Sequence, residues 1–153
     1  MKILDILPPQ SVVSDLQGAT KPDVLAELAA VLAASHPELA KDRLVEVLLE
    51  REKLGSTAIG EGIAIPHGKM PKLAGVVAAF GRSRGGVDFQ SLDGGPTQLF
   101  FLLVAPEDAS GAHLKALARV SRLLRDKEFR RRLLEAEGAE RIYGIIQQED
   151  DKY

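Results

Sequence analysis

Two uninterrupted apolar runs, Val76-Val77-Ala78-Ala79-Phe80 and Leu99-Phe100-Phe101-Leu102-Leu103-Val104-Ala105, constrain this chain more than any other feature. Successive side chains of a β-strand point to opposite faces, so a strand with one wet face alternates apolar and polar residues. These runs do not alternate. Both faces of each strand must be covered, and helical patterns before and after them supply the cover. The expectation is a three-layer α/β arrangement.

The strands are expected over Gly75 to Ser83 and Gln98 to Ala105, with a turn-rich stretch between them holding Gly85-Gly86 and Asp93-Gly94-Gly95-Pro96. Val87-Asp88-Phe89 reads as a short pairing segment. Ser11-Val12-Val13-Ser14 reads as a short strand and Asp15 to Gly18 as its exit turn. Thr20 caps a helix with Pro22 in its first turn and Val24, Leu25, Leu28, Ala29 and Leu32 at helical spacing, which Pro37 ends. A second helix spans about Ala40 to Leu54, with Leu44, Val45, Leu48 and Leu49 inward and Gly55 as its stop. Ile63 to Ile65 form a strand entering a loop at Pro66. In the C-terminal third, Ser110 or Gly111 opens a helix whose stripe is Leu114, Leu117, Ala118, Ser121 and Leu124. Asp126-Lys127-Glu128 divides it from Phe129 to Ala136, Gly138 breaks the pattern, and a last helix holds Ile142, Ile145 and Ile146. Gln147 to Tyr153 is expected to fray.

A chain of 153 residues fits one domain, taken as 1–153, with a core large enough to need no disulfide or structural metal. A net charge of −2 gives no electrostatic footprint for nucleic acid, and Arg130-Arg131-Arg132 sits among acidic neighbours as a solvated face. Cysteine is absent, which removes thiol catalysis and zinc-thiolate sites. The N-terminus lacks a secretory apolar region, and the run Leu99 to Ala105 is too short to span a bilayer. A soluble, cytoplasmic protein without membrane insertion is expected.

With no cysteine, the three histidines are the candidate nucleophiles titrating near neutral pH. His36, in Ser35-His36-Pro37-Glu38, reads as a solvent-facing helix end. His67 follows a proline that fixes the backbone and precedes a glycine that leaves space. It is open between a site residue and a turn residue. Glycines 55, 60, 62 and 68 allow close approach of a phosphate or a partner's backbone, and ordinary turn chemistry also explains each. His113 falls in the first turn of a helix, where the dipole favours a neutral imidazole and an anion, or it is simply a polar helix start. Arg51 ends the second helix as either a phosphoryl-chelating fork or an exposed cation, with the Ser56 and Thr57 hydroxyls beside it.

The segment Arg51-Glu52-Lys53-Leu54-Gly55-Ser56-Thr57-Ala58-Ile59-Gly60-Glu61-Gly62-Ile63-Ala64-Ile65-Pro66-His67-Gly68-Lys69 resembles the active-site signature of enzyme IIA domains of the mannitol/fructose class. These belong to the bacterial phosphoenolpyruvate-dependent sugar phosphotransferase system. His113-Leu114-Lys115-Ala116-Leu117-Ala118-Arg119 resembles that family's second histidine motif, about as far downstream as the family would place it. The resemblance covers nearly the whole chain. It implies a three-layer sandwich, a mixed β-sheet flanked by helices on both faces. It further implies that His67 is phosphorylated with His113 and Arg51 beside it, that Ser56 and Thr57 shape the phosphoryl pocket, and that no cofactor or metal is needed. The implied partners are an HPr-type phosphocarrier and either an enzyme IIB or a regulatory target protein. Because those partners are proteins, His67 should lie on a shallow, partly apolar face, with Ile59, Ile63 and Met70 as candidates either for its rim or equally for the core.

With no transport domain and no recognisable enzyme IIB extension, the chain is expected to be free-standing. Its length and the Gly-Ile-Ala-Ile-Pro-His-Gly-Lys run look most like the nitrogen-regulatory branch, which signals by phosphorylation state. Ala58 departs from the glycine often found there. The phosphoryl carrier thus stands beside a regulatory binder switched by phosphorylation and a phosphorylation-dead relative such as the cytoplasmic domains of anion exchangers, which the intact His67 motif disfavours. A metal-dependent hydrolase using His67 and His113 lacks the His-x-x-x-His or Glu-x-x-His spacing it would need.

Overall fold

A computed structural model describes residues Met1–Tyr153. The strands are β1 (Val12–Val13), β2 (Ala58–Gly60), β3 (Ile63–Ala64), β4 (His67–Met70), β5 (Val77–Val87) and β6 (Thr97–Pro106). The helices are α1 (Lys21–Ser35), α2 (Lys41–Lys53), α3 (Ser110–Leu124), α4 (Lys127–Glu135) and α5 (Ala139–Asp150). The six strands form one sheet in the order β1-β5-β6-β3-β2, and β4 pairs with β6 beyond β3. Pairing is mixed: β5 runs antiparallel to β6, while β3 and β4 run parallel to it.

The two continuous apolar runs do what their lack of alternation demands. Ala78 and Phe80 of β5, with Leu99, Phe101, Leu103 and Ala105 of β6, pack on one face beneath α3, α4 and α5. Val77 and Ala79, with Phe100, Leu102 and Val104, pack on the other beneath α1 and α2. This is the expected three-layer sandwich. Thr20 caps α1 as expected, its hydroxyl accepting from Asp23 N at 3.3 Å, and Asp126 caps α4 through Glu128 N and Phe129 N. No helix is long and apolar enough to cross a membrane.

Several local expectations give way. Gly85-Gly86 makes no turn between separate segments; β5 continues to Val87 through an irregular stretch after Arg82, and Gly86 takes φ +79 there. The inward face of α3 is His113, Ala116, Val120, Leu123 and Leu124, so the expected stripe is displaced and Leu114 lies on the surface. Arg82 is wholly buried: its guanidinium donates to the carbonyls of Ser14, Leu133 and Ala136, closing the C-terminal end of α4 against the sheet.

The C-terminus is the largest correction. α5 reaches Asp150, whose buried carboxylate accepts two hydrogen bonds from Arg119 at 3.0 and 2.6 Å and one from Leu4 N at 3.2 Å. Lys2 Nζ donates to the Asp150 carbonyl. These bonds tie α5, α3 and the N-terminal turn together, and only Asp151 to Tyr153 extend beyond the helix. Replacing Asp150 by Ala strands a partly covered guanidinium and an N–H group, so Asp150→Ala should cost about 3 kcal/mol in urea unfolding.

Candidate functional site

β4 is the element that builds the site. β6 pairs Ile63 with Leu99 and Ala64 with Phe100 along β3, then His67 with Leu103 and Gly68 with Val104 along β4. The register continues unchanged across Ile65-Pro66, so β3 and β4 are one parallel edge interrupted by a proline. Odd-numbered side chains therefore face the α3 layer and even-numbered ones face α1 and α2. His67 is directed toward α3. Gly68 faces α2, where Val47 approaches so closely that a Cβ would lie 2.8 Å from its Cγ1. Glycine is required here by that close packing.

His67, Arg51 and His113 come together at this edge. The His67 and His113 ring centroids are 5.5 Å apart in an edge-to-face arrangement. His67 Nδ1 lies 2.8 Å from the Ile65 carbonyl, which can only accept, so Nδ1 carries the proton and donates. Nε2 then keeps its lone pair and accepts from Arg51 Nε at 3.3 Å. Arg51 is itself steadied by an Nη1 bond to the Gly55 carbonyl at 2.9 Å. The His113 Nε2 atom is buried without a hydrogen-bond partner.

These groups line a shallow cleft of about 770 Å³ that straddles the sheet edge between α2 and α3. Its walls include Val47 from α2 and Leu54 capping that helix's C-terminus, Lys69 from β4, and Leu114 and Leu117 from α3. Leu54 and Leu114 are 84% and 67% exposed, which marks an apolar rim rather than a core. Lys69 Nζ donates to Ser110 Oγ at 2.8 Å at the opening of α3. Of the expected rim residues, Ile59 is exposed in an adjoining hollow, whereas Ile63 and Met70 are buried in the two cores. Strand parity turns Met70 to the α1/α2 face, whereas Ile63 shares the parity of His67 and is buried further back along the edge, under the α3 layer.

Ser56 and Thr57 lie beside the site with their hydroxyls already engaged. Ser56 donates to the Phe89 carbonyl at 2.6 Å, and Thr57 donates to the buried Glu52 carboxylate. Glu52 and Lys69 were not singled out from sequence; alternation through β4 would have revealed Lys69. His36 lies at the C-terminal end of α1, outside the cleft. No group of three or more His, Asp or Glu side chains gathers in metal-binding geometry.

The electrostatics favour neutral imidazoles. Burial lowers the pKa of His67, and the Arg51 charge lowers it further, against the raising effects of the Ile65 bond and Glu52. Burial likewise lowers that of His113, helped by His67 and Lys69.

The model of the phosphoenolpyruvate-dependent sugar phosphotransferase system, EIIA 2, matches residues 5–149. The chain belongs to this family. It is 46% identical over 146 residues to the nitrogen regulatory protein of Bradyrhizobium diazoefficiens, covering 95% of each chain. It is 42% identical over 150 residues to the PTS system fructose-specific EIIABC component of Bacillus subtilis, covering 98% of this chain and 24% of that one. The crystal structure of nitrogen regulatory protein IIA-Ntr from Neisseria meningitidis superposes with a TM-score of 0.86 at 36% identity, covering 94% of this chain and 98% of that one.

In this IIA domain both histidines should titrate below the ordinary value of 6.5. The unfolded chain then binds more protons as pH falls past that value. The histidine contribution to stability is present above pH 6.5 and is lost as pH falls through the folded-state pKa values, which urea midpoints across that window should show. Arg51→Ala removes a repulsive charge, so the His67 titration followed by NMR should move up.

Proposed function

We propose that this chain is a phosphoryl carrier of the phosphotransferase system, taking a phosphoryl group onto Nε2 of His67 from an HPr-type phosphocarrier protein. The observation that carries the reading is the locked imidazole: Nδ1 donates to the Ile65 carbonyl while Nε2 faces Arg51 and the open cleft. Family membership supports it, because the components of this system pass phosphoryl groups between proteins.

The transfer is a displacement at phosphorus. The Nε2 lone pair of His67 forms the new N–P bond as the N–P bond to the donor's histidine breaks, and the electron pair leaves with the donor's ring. Nδ1 keeps its proton throughout, so His67 needs no general base. The positive charge that develops on the ring is spread toward the Ile65 carbonyl. The passing phosphoryl group carries its negative charge on peripheral oxygens, and the work of the protein is to align it and balance that charge. Arg51 gives up its bond to Nε2 and offers its fork to two of those oxygens. His113, neutral and with an unpartnered ring nitrogen nearby, gains a hydrogen-bond partner when the group arrives. Ser56 and Thr57 hold the turn that carries this pocket. No metal enters the scheme.

The onward partner is an enzyme IIB or a regulatory target protein, met on the same exposed apolar rim. The relative named as an EIIABC component supports the first. Likeness to a nitrogen regulatory protein along 95% of both chains supports the second, in which partners read the phosphorylation state and no sugar is phosphorylated. Residues 1–153 serve as one domain in either case, since both cores hang on one sheet. The reading places the protein in the cytoplasm with its phosphoryl donor.

Incubation with phosphoenolpyruvate, enzyme I and the HPr-type carrier should add one acid-labile phosphoryl group to the intact mass of the wild type and none to His67→Ala. Undiminished labelling of His67→Ala would overturn the assignment. Arg51→Ala should slow labelling on the order of 10²-fold with the protein fully folded.

A further inference from the structure

Glu52 follows Arg51 in the last turn of α2, yet only 7% of it is exposed. A carboxylate is buried only where it is paired, and its partners here are specific. Oε1 accepts from Thr57 N and from Lys21 Nζ, each at 3.1 Å, and Oε2 accepts from the Thr57 hydroxyl. Lys21, at the start of α1, also lies 4.7 Å from the centroid of the Phe89 ring. The carboxylate thus grips both the backbone and the side chain of one residue in the turn between α2 and β2.

Thr57 leads directly to the nucleophile. Its carbonyl accepts from Ile65 N at 3.1 Å, and the Ile65 carbonyl accepts from His67 Nδ1 at 2.8 Å. Pro66, between them, has no N–H to offer and leaves this stretch of the edge without a ladder bond from its own nitrogen. Two residues, Thr57 and Ile65, therefore connect the buried carboxylate to the ring. A buried ion pair is poor value as a stability device, because desolvation offsets most of the attraction. As a clamp on the acceptor that sets a histidine tautomer, its placement is accounted for.

We propose that Glu52 is a positioning residue which, through Thr57 and Ile65, holds His67 as its Nδ1–H tautomer so that Nε2 is the atom presented to the incoming phosphoryl group. The role in transfer rests on the carrier reading above, but the tautomer itself does not. Arg51 and Glu52, adjacent in sequence, divide the work: the cation faces the cleft and the phosphoryl oxygens, and the anion faces inward and fixes the ring.

Imidazole nitrogen-15 shifts of His67, measured by NMR at a pH where the ring is neutral, test the proposal without any phosphoryl donor. Wild type should show the Nδ1–H tautomer alone. Glu52→Ala and Thr57→Val should show a mixture, and Glu52→Gln, which retains an acceptor oxygen for Thr57 N and Lys21, should stay near wild type. In single-turnover labelling by the phosphorylated carrier, Glu52→Ala should lower the limiting rate on the order of 10-fold while the half-saturating carrier concentration stays within about twofold. A single Nδ1–H tautomer in folded Glu52→Ala and Thr57→Val would overturn the proposal. Should Glu52→Ala fail to fold, Thr57→Val, which exchanges a hydroxyl for a methyl, decides by its tautomer alone. A wild type that shows the tautomer but takes no label overturns the carrier reading and leaves the positioning role to the same NMR comparison.

Discussion

The parallel pairing of β3 and β4 with one edge of β6 is the constraint on which the site depends. A parallel ladder fixes which face each side chain takes, and a slip of one residue would exchange the faces throughout. Pro66 interrupts the edge without shifting its register, so His67 inherits the parity of Ile63 and Ile65 and faces α3. Gly68 inherits the opposite parity and lets α2 close in. Because the two helical layers approach the same free edge from opposite faces, Arg51 and His113 can reach one imidazole between them. The three-layer arrangement that covers β5 and β6 thus also assembles the cleft.

The site is polar chemistry set in apolar surroundings, and each polar group bears a cost that the fold must offset. An unpartnered buried nitrogen on His113 costs about 1–3 kcal/mol, and the Arg51 guanidinium spends one of its bonds on a neutral imidazole. The proposed transfer would relieve both deficits by one event, the arrival of an anion at Nε2. Much of the rest is prepaid. The ring already carries its proton on Nδ1, the guanidinium is already anchored to the Gly55 carbonyl, and the turn beneath is held by bonds from Glu52 and Ser56. On the carrier reading, little reorganisation remains for the transfer itself.

How much of this could be read in the sequence varied with how locally it was encoded. The layers followed from the unbroken apolarity of Val76–Phe80 and Leu99–Ala105, and α1 from its Thr20 cap, Pro22 and spaced leucines. β4 did not follow, because proline and glycine around His67 read as loop signals. An edge strand tolerates both when a strong neighbour such as β6 supplies the pairing. Gly85-Gly86 misled in the same way within β5. The C-terminal order rests on Asp150 meeting Arg119, and Arg82 is buried against carbonyls of distant segments. Contacts between residues so far apart leave no periodic trace. At the site, the signature at His67 and the motif at His113 named the residues that the structure brings together, while Glu52 stood inside the quoted segment unnoticed because an acid in a helix usually faces water.

The displaced stripe of α3 carries a further lesson. Leu114 and Leu117 recur at helical spacing and read as core, but the sheet is met by His113, Ala116 and Val120, and Leu114 is left in solvent. Core and binding face draw on the same apolar side chains, so spacing alone cannot separate them. What separates them is the polar residue among them. A histidine on the buried side of an amphipathic helix costs stability unless something outside the helix uses it, and His113 has His67 against it and an open cleft in front. The exposed leucines around such a histidine then have a physical reason to be there. On the carrier reading they give a partner an apolar surface to seat on, and that seating would exclude water from a transfer whose intermediate charge is best stabilised by fixed dipoles and Arg51.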